Sequence, residues 1–177
     1  MAISKVGLTT GITGTLPIAN GGTGATSFSP GKVLQVVQGT TSVTHTTTST
    51  TPADTGLTVD ITPASSSNKV LVMASFPVRF YKTSNYYANG MFNLKRDTTN
   101  IIARSGSNVQ DFGVEAGALG SSSYVANPVK MHMQILDSPS TTSATTYKVQ
   151  SAAFASSTVN SMWNDQPGHI IVMEVSA

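Results

Sequence analysis

Residues 69–80, KVLVMASFPVRF, decide the fold class. From Val70 to Phe80 every second residue is apolar, and the positions between them end in Ser75, Pro77 and Arg79. A side-chain period of two is typical of a β-strand, whose residues point alternately to opposite faces. We therefore predict a long strand here that has one face in a hydrophobic core.

The same period of two recurs, more weakly, on both sides of this stretch. It predicts further strands at 33–38, 43–49, 57–61, 91–96, 101–104, 129–135, 147–154 and 170–175. Asn89-Gly90 is predicted to form a tight turn, and residues 97–100 are predicted to close a hairpin. Eight or nine short antiparallel strands separated by polar loops are typical of a β-sandwich or a jelly roll.

The composition agrees with an all-β protein. The chain has 177 residues, of which 25 are Thr and 23 are Ser, and only two are Glu, so the ion pairs that support surface helices are scarce. A hydrophobic fraction of 39% is enough for the core of one domain.

Two kinds of partner are not expected. Nucleic-acid binding needs a stripe of several basic residues, and the sequence has a single adjacent basic pair, Lys95-Arg96, so we expect no nucleic-acid partner. The longest mainly apolar stretch, residues 70–78, is too short to span a bilayer, so we expect no membrane insertion.

The first 30 residues differ from the rest of the chain. Seven of the 15 glycines lie within residues 1–31, and the apolar residues there are isolated from one another. Such a segment buries too little surface to order itself. We predict a stem or docking segment at residues 1–30 and a β-sandwich head domain at residues 31–177. The proposed docking motif combines a proline with residues that tolerate positive φ: Leu16, Pro17, Ile18, Asn20, Gly21, Gly22 and Gly24.

Several segments resemble those of one family. TLPIANGGTGATS, residues 15–27, is similar to a segment that recurs in bacteriophage tail fibres, often before a C-terminal head domain. Residues 61–76, 92–103, 136–150 and 169–175 are similar, in the same order, to head domains at the ends of such fibres. The resemblance covers about a third of the chain.

The resemblance to tail-fibre and virion-spike proteins implies a homotrimeric, jelly-roll-like head on an extended Gly-rich stem. It implies a structural virion protein that attaches the particle to the host surface and docks on other tail or capsid proteins through its N-terminal segment. The chain has almost no shaft, so a capsid (head) decoration or head-fibre protein stays open as an alternative. A polysaccharide-degrading tailspike is a third, less favoured reading, because it usually has a long β-helix and an acidic cleft.

The residues themselves also favour an oligomer. Residues 1–30 would be ordered if copies wound about a common axis. Leu71 and Met73 put apolar side chains on the face opposite Val70, which suits a subunit interface. A central strand buried on both faces of a monomer explains the same pattern, and the sequence leaves the two open.

Catalytic and metal sites find little support. The eight acids are scattered, with Asp111 and Glu115 the closest loop pair, and there is no cysteine. His45, His132 and His169 are far apart in the sequence and lie in predicted strands. We therefore predict no enzyme activity, no metal site and no cofactor, although a histidine near a threefold axis would appear three times.

Recognition is the function that the loops favour. Aromatic side chains in polar loops are common anchors for sugars and protein partners, because they offer flat apolar area at small entropic cost. The candidate receptor contacts are Tyr86, Tyr87 and Trp163, the last in the predicted loop 160–168, and the expected ligand is a host-surface glycan. The alternative is that these rings cap the ends of the sandwich or fill subunit interfaces.

Overall fold

A computed structural model describes residues 32–82, 88–103, 125–154 and 156–176, with residues 125–127 described by their backbone alone. The predicted stem, residues 1–30, lies outside these ranges, and so do Tyr86 and Tyr87. The boundary between stem and head therefore stays a prediction.

The described chain is all-β, as predicted. Its ten strands are β1 (Val33–Thr41), β2 (His45–Thr47), β3 (Ala53–Ile61), β4 (Lys69–Lys82), β5 (Asn89–Arg96), β6 (Thr99–Ile102), β7 (Val125–Asp137), β8 (Thr145–Phe154), β9 (Thr158–Ser161) and β10 (Gly168–Val175). They form two antiparallel sheets of six and four strands, which pack together as a β-sandwich.

The six-stranded sheet is four strands wide. Strand β7 pairs with β4 along nearly its whole length, so β10 and β9 share the other edge of β4, end to end. Strand β1 then pairs with β10, and β2 pairs with β9. The second sheet has the order β3-β8-β5-β6.

The core lies between the two inner faces, and strand β4 supplies much of it. The alternate residues of β4 from Val70 to Phe80 are all buried, as the period of two predicts. Phe92 on β5 crosses from the second sheet to meet Phe76 and Phe80, at ring-centroid distances of 5.1 Å and 6.1 Å. Edge-to-face rings of this kind add to the free energy of burial.

Two local predictions are wrong. Asn89-Gly90 is no turn but the start of β5, where Gly90 pairs with Ala153. A β-carbon on Gly90 would overlap side chains of Phe80 and Val159, so the glycine serves close packing of the two sheets. Strand β9 falls partly inside the predicted loop 160–168, and it forms because it adds to β4 and β2, two strands that are distant in the sequence.

A buried carboxylate fastens one loop to the six-stranded sheet. Glu174 on β10 is fully buried and accepts hydrogen bonds from Gln35 Nε2 at 2.6 Å, the Ala64 backbone N–H at 2.7 Å and Asn68 Nδ2 at 2.6 Å. Burial raises the pKa of Glu174, but these donors, together with the Ser65 backbone, outweigh it and hold the pKa below its ordinary value. The loop between β3 and β4 is thereby tied to β10.

A second carboxylate joins the two sheets. Asp137, at the end of β7, accepts hydrogen bonds from Arg96 Nη1 at 2.7 Å and 2.8 Å and from the Tyr147 hydroxyl at 2.7 Å. Arg96 and Tyr147 belong to the second sheet. Burial and the bond to Asp137 raise the pKa of the Tyr147 hydroxyl, so it stays protonated and donates.

Candidate functional site

Trp163 lies in a short 3₁₀ turn, Trp163–Asp165, between β9 and β10. Three residues of this segment have positive φ: Met162 at 51°, Asn164 at 60° and Asp165 at 53°. Asparagine and aspartate tolerate this conformation, but methionine adopts it at a cost of about 1–2 kcal/mol. The Met162 side chain is fully buried, and its neighbour Trp163 is half-buried. The positive-φ backbone of this turn therefore buries the Met162 side chain and leaves the Trp163 indole partly exposed.

Thr44, in the gap between β1 and β2, holds this turn in place. Its hydroxyl lies 2.8 Å from the Met162 carbonyl oxygen and 2.9 Å from Asp165 Oδ1, and it accepts the Asp165 backbone N–H at 3.3 Å. One hydroxyl thus contacts both ends of the strained turn, although it is about 120 residues away in the sequence.

Arg79 and Tyr81 complete a group that we call the Trp163 cluster: Arg79, Tyr81 and Trp163. The Arg79 guanidinium carbon lies 4.8 Å from the centroid of the Tyr81 ring and 5.3 Å from that of the Trp163 ring. Both distances are within the range of cation–π attraction, which contributes about 0.5–1 kcal/mol at exposed sites. All three side chains are half-buried, on the outer side of the six-stranded sheet near the end of β4.

The cluster offers two kinds of contact. Ring faces of tyrosine and tryptophan pack against the apolar faces of sugars and of other rings. A guanidinium matches the planar geometry of carboxylates and phosphates. A glycan that carries an acidic group would use both.

Of the predicted receptor contacts, only Trp163 lies among the described residues. Tyr86 and Tyr87 follow β4 in the sequence, and the docking motif, Leu16 to Gly24, precedes β1; both lie outside the described ranges. Sequence reasoning missed Arg79 and Thr44. The period of two does place Arg79 and Tyr81 on one face, but no sequence signal brings Trp163 to them.

A depression of about 490 Å³ lies on the outer face of the same sheet. Its lining includes His132 on β7 and His169 on β10, which flank Ser75 of β4 in one row across the sheet. Gln38 Nε2 lies 3.0 Å from His169 Nδ1. Sequence spacing treats these two histidines as unrelated, whereas strand order makes them near neighbours. Within the described ranges, no three His, Cys, Asp or Glu side chains come together as a metal site would need.

A serine and a histidine also meet between the sheets. Ser151 Oγ lies 3.3 Å from His45 Nδ1, and burial lowers the pKa of His45, although Asp54 opposes this. Ser151 is fully buried, so its hydroxyl has no path to a substrate. Asp54 is held by Lys148 Nζ at 2.7 Å and Gln150 Nε2 at 2.6 Å, and these bonds lower its pKa against the effect of partial burial. The group is a structural contact.

Comparison with models of known protein families gives no match, and no curated protein matches the chain significantly. Among the described residues no helix is long and apolar enough to cross a membrane.

Proposed function

We propose that this protein is a structural component of a bacteriophage virion: a short homotrimeric tail fibre or spike that attaches the particle to the host surface. In this proposal residues 1–30 dock on other virion proteins, the head domain carries the receptor contacts, and no cofactor or catalytic group takes part.

The observation that carries the proposal is the position of the Trp163 cluster relative to the point where the chain enters the sandwich. Lys32 precedes Val33, which pairs with Val175, and Val175 pairs with Lys69 at the beginning of β4. Tyr81 lies twelve residues further along β4, a distance of about 40 Å at the usual rise of a strand. Lys32, where the chain enters the sandwich, and the Trp163 cluster therefore lie at opposite ends of the described domain, an arrangement that suits an attachment protein.

The order of the strands supports a jelly roll. Strands β1 and β2 lie end to end, and so do β9 and β10, so the ten strands fill eight positions. In chain order the first position pairs with the eighth, the second with the seventh, the third with the sixth and the fourth with the fifth. This is the wrapped order of a jelly roll, an architecture of viral capsid and lectin domains. We infer that the head is a jelly roll.

The resemblance of residues 15–27 to tail-fibre segments points in the same direction. So does the weak charge of the chain, ten basic and eight acidic residues, which suits a protein that meets other subunits over much of its surface.

Imaging tests the location. Antibodies raised against the full chain are applied to purified particles of the virus that encodes it, and gold label is located by electron microscopy. Label at the tail is the expected result. Label over the capsid would replace the tail-fibre assignment with the head-decoration alternative, and particles without label would overturn the virion assignment.

A binding assay tests recognition. Fluorescent full-length chain is applied to an array of bacterial lipopolysaccharides, capsular polysaccharides and teichoic acids, and wild type is compared with Trp163→Ala and Arg79→Gln. Lys95→Gln, on the other sheet, is the matched control. We expect binding to fall at least tenfold for the two cluster variants and to be unchanged for the control. Equal binding by all four proteins would exclude the Trp163 cluster, and shortening of the arrayed polysaccharide would indicate an enzyme.

A further inference from the structure

The two outer faces of the sandwich differ sharply in polarity. The outer face of the second sheet is polar: Asp54 pairs with Lys148 at 2.7 Å, and the Thr146 hydroxyl bonds to Asp60 at 2.6 Å. This is the ordinary pattern of an antiparallel sheet that meets water on one side. The outer face of the six-stranded sheet breaks that pattern at the end nearest Lys32.

The strand register arranges the apolar residues of that face in two rows. Val36, Met173, Leu71 and Leu136 form one row across β1, β10, β4 and β7. Ile171 and Met73 form the centre of the next row, with Gln38 and Gln134 at its ends. We call these six apolar residues the apolar face.

The apolar face is open to solvent in a single subunit. Its two edge residues, Val36 and Leu136, are 56% and 52% exposed, and Val33 beside it is 57% exposed. The largest apolar patch on a typical monomer covers about 300–600 Å² and is often functional, so this face is a candidate interaction surface.

We propose that the apolar face is the surface through which copies of this chain pack against one another; the inference rests on the homotrimer of the proposed function. Three features favour a second copy as the occupant, and each follows from the residues of the face or from its place in the fold.

The first feature is charge. The two rows contain neither an acidic nor a basic residue, and Lys69 lies in the row beyond them, beside Val175, so identical faces meet around a symmetry axis without like charges in direct contact. The amides of Gln38 and Gln134 each carry both donors and acceptors, so they are able to bond to copies of themselves.

The second feature is position. The apolar face lies at the end of the sheet where the chain enters, and the exposed residues Val33 and Leu34 continue it towards Lys32. Thirty-one residues precede Lys32. If they form a shared stem, they bring the copies closest together at this end of each head.

The third feature is size. Four strands and two rows span about 300 Å², well below the ~800 Å² per partner of a stable complex between separate proteins. Copies tethered by a stem are at an effective concentration in the millimolar range, where a small apolar contact is sufficient. A foreign partner without such a tether would need a larger surface.

Light scattering on the full-length chain tests the proposal. The wild type is expected at about 55 kDa, three times the chain mass of 18.4 kDa. Val36→Asp and Leu71→Glu are expected to shift the mass towards 18.4 kDa while the circular dichroism stays that of a β protein. Thr58→Glu, which adds the same charge to the outer face of the second sheet, is the control and is expected to leave the trimer intact.

A thiol readout covers the case in which a charged variant fails to fold. The chain has no cysteine, so Leu136→Cys and Val43→Cys each introduce a single thiol. Val43 is 73% exposed and lies off the apolar face. We expect the Leu136→Cys thiol to react with a maleimide at least tenfold more slowly than the Val43→Cys thiol.

The outcomes separate this inference from the function on which it rests. A wild-type trimer that persists in folded Val36→Asp, or equal reactivity of both thiols in a trimer, would overturn the apolar face as the interface and leave the proposed function standing. A wild-type mass of 18.4 kDa would overturn both the interface and the trimer, and a slow Leu136→Cys thiol in that monomer would assign the face to residues 1–31 of the same chain.

Discussion

Replacement of Glu174 by glutamine tests the account of the buried carboxylate. Glu174→Gln keeps the size of the side chain and removes its charge. The retained oxygen still accepts hydrogen bonds from the Ala64 N–H and Asn68, but the new NH₂ group then faces Gln35 Nε2, which is also a donor. Gln35 is able to turn its own amide only by giving up its 2.8 Å bond to the Thr62 carbonyl.

The magnitude follows from these bonds. Hydrogen bonds to a charged group contribute about 1.5–3 kcal/mol each, and neutral ones about half as much. Two bonds weakened by half and one lost bond amount to about 3–6 kcal/mol, and the smaller desolvation cost of a buried neutral amide brings the net loss to about 3 kcal/mol. For a chain of 177 residues that lowers the melting temperature by about 6–12 °C.

Thermal unfolding followed by circular dichroism at one fixed protein concentration measures the effect, since the melting temperature of an oligomer depends on concentration. Asp54→Asn is the control: its side chain is 50% exposed, so loss of the pair with Lys148 is expected to cost less than about 1 kcal/mol. A Glu174→Gln protein that melts within 2 °C of the wild type at pH 7 would refute the reasoning.

The pH dependence supplies a second check. The folded pKa of Glu174 is lowered, so the stability that its charge contributes is present above the ordinary pKa of 4.5 and is lost as the pH falls through the folded value. The wild type is therefore expected to lose more stability than Glu174→Gln between pH 6 and pH 3. A gap between the two melting temperatures that stays constant over this range would contradict the assignment.

Three further substitutions probe the sandwich and the candidate site. Gly39→Ala puts a methyl group into the Thr58 carbonyl where β1 crosses β3, so we expect the melting temperature to fall by at least 5 °C in a calorimeter. Arg96→Met leaves the Asp137 carboxylate, 9% exposed, without its cation, and urea unfolding is expected to show a loss of about 3 kcal/mol; an unchanged midpoint would mean that the pair contributes nothing. Thr44→Val removes the hydroxyl that holds the 3₁₀ turn, so the indole of the single tryptophan should become more accessible and acrylamide should quench its fluorescence more strongly. The melting temperature is expected to change by less than about 4 °C.

Much of the sandwich was predictable because its strands carry their own periodicity. The alternation of β4 between Val70 and Phe80 predicts both its extent and its buried face. Strand β9 has no such period in its four residues. It forms because it pairs with the backbone N–H and C=O groups of β4 at 78–81, which β10 does not reach. The local sequence of β9 gives no indication of this pairing.

The candidate site was predictable only in part. An indole in a polar loop indicates a recognition residue, which is why Trp163 stands out in the sequence. Arg79 does not stand out, because a single arginine in a strand is ordinary. Arg79 and Trp163 become a candidate site only because the fold brings their side chains to within 5.3 Å of each other, although they lie 84 positions apart in the chain.

The sequence by itself determined most of the strands, β9 and the start of β5 excepted, and the buried face of β4, because both follow from backbone geometry that repeats every two residues. Only the tertiary structure decided which faces meet. Glu174 finds Gln35, Ala64 and Asn68, and Arg79 finds Trp163, because the register of distant strands is set by burial of the inner faces of both sheets together. The same register gathers the exposed Val36 and Leu136 into one row with Leu71, so that scattered apolar residues become a single face.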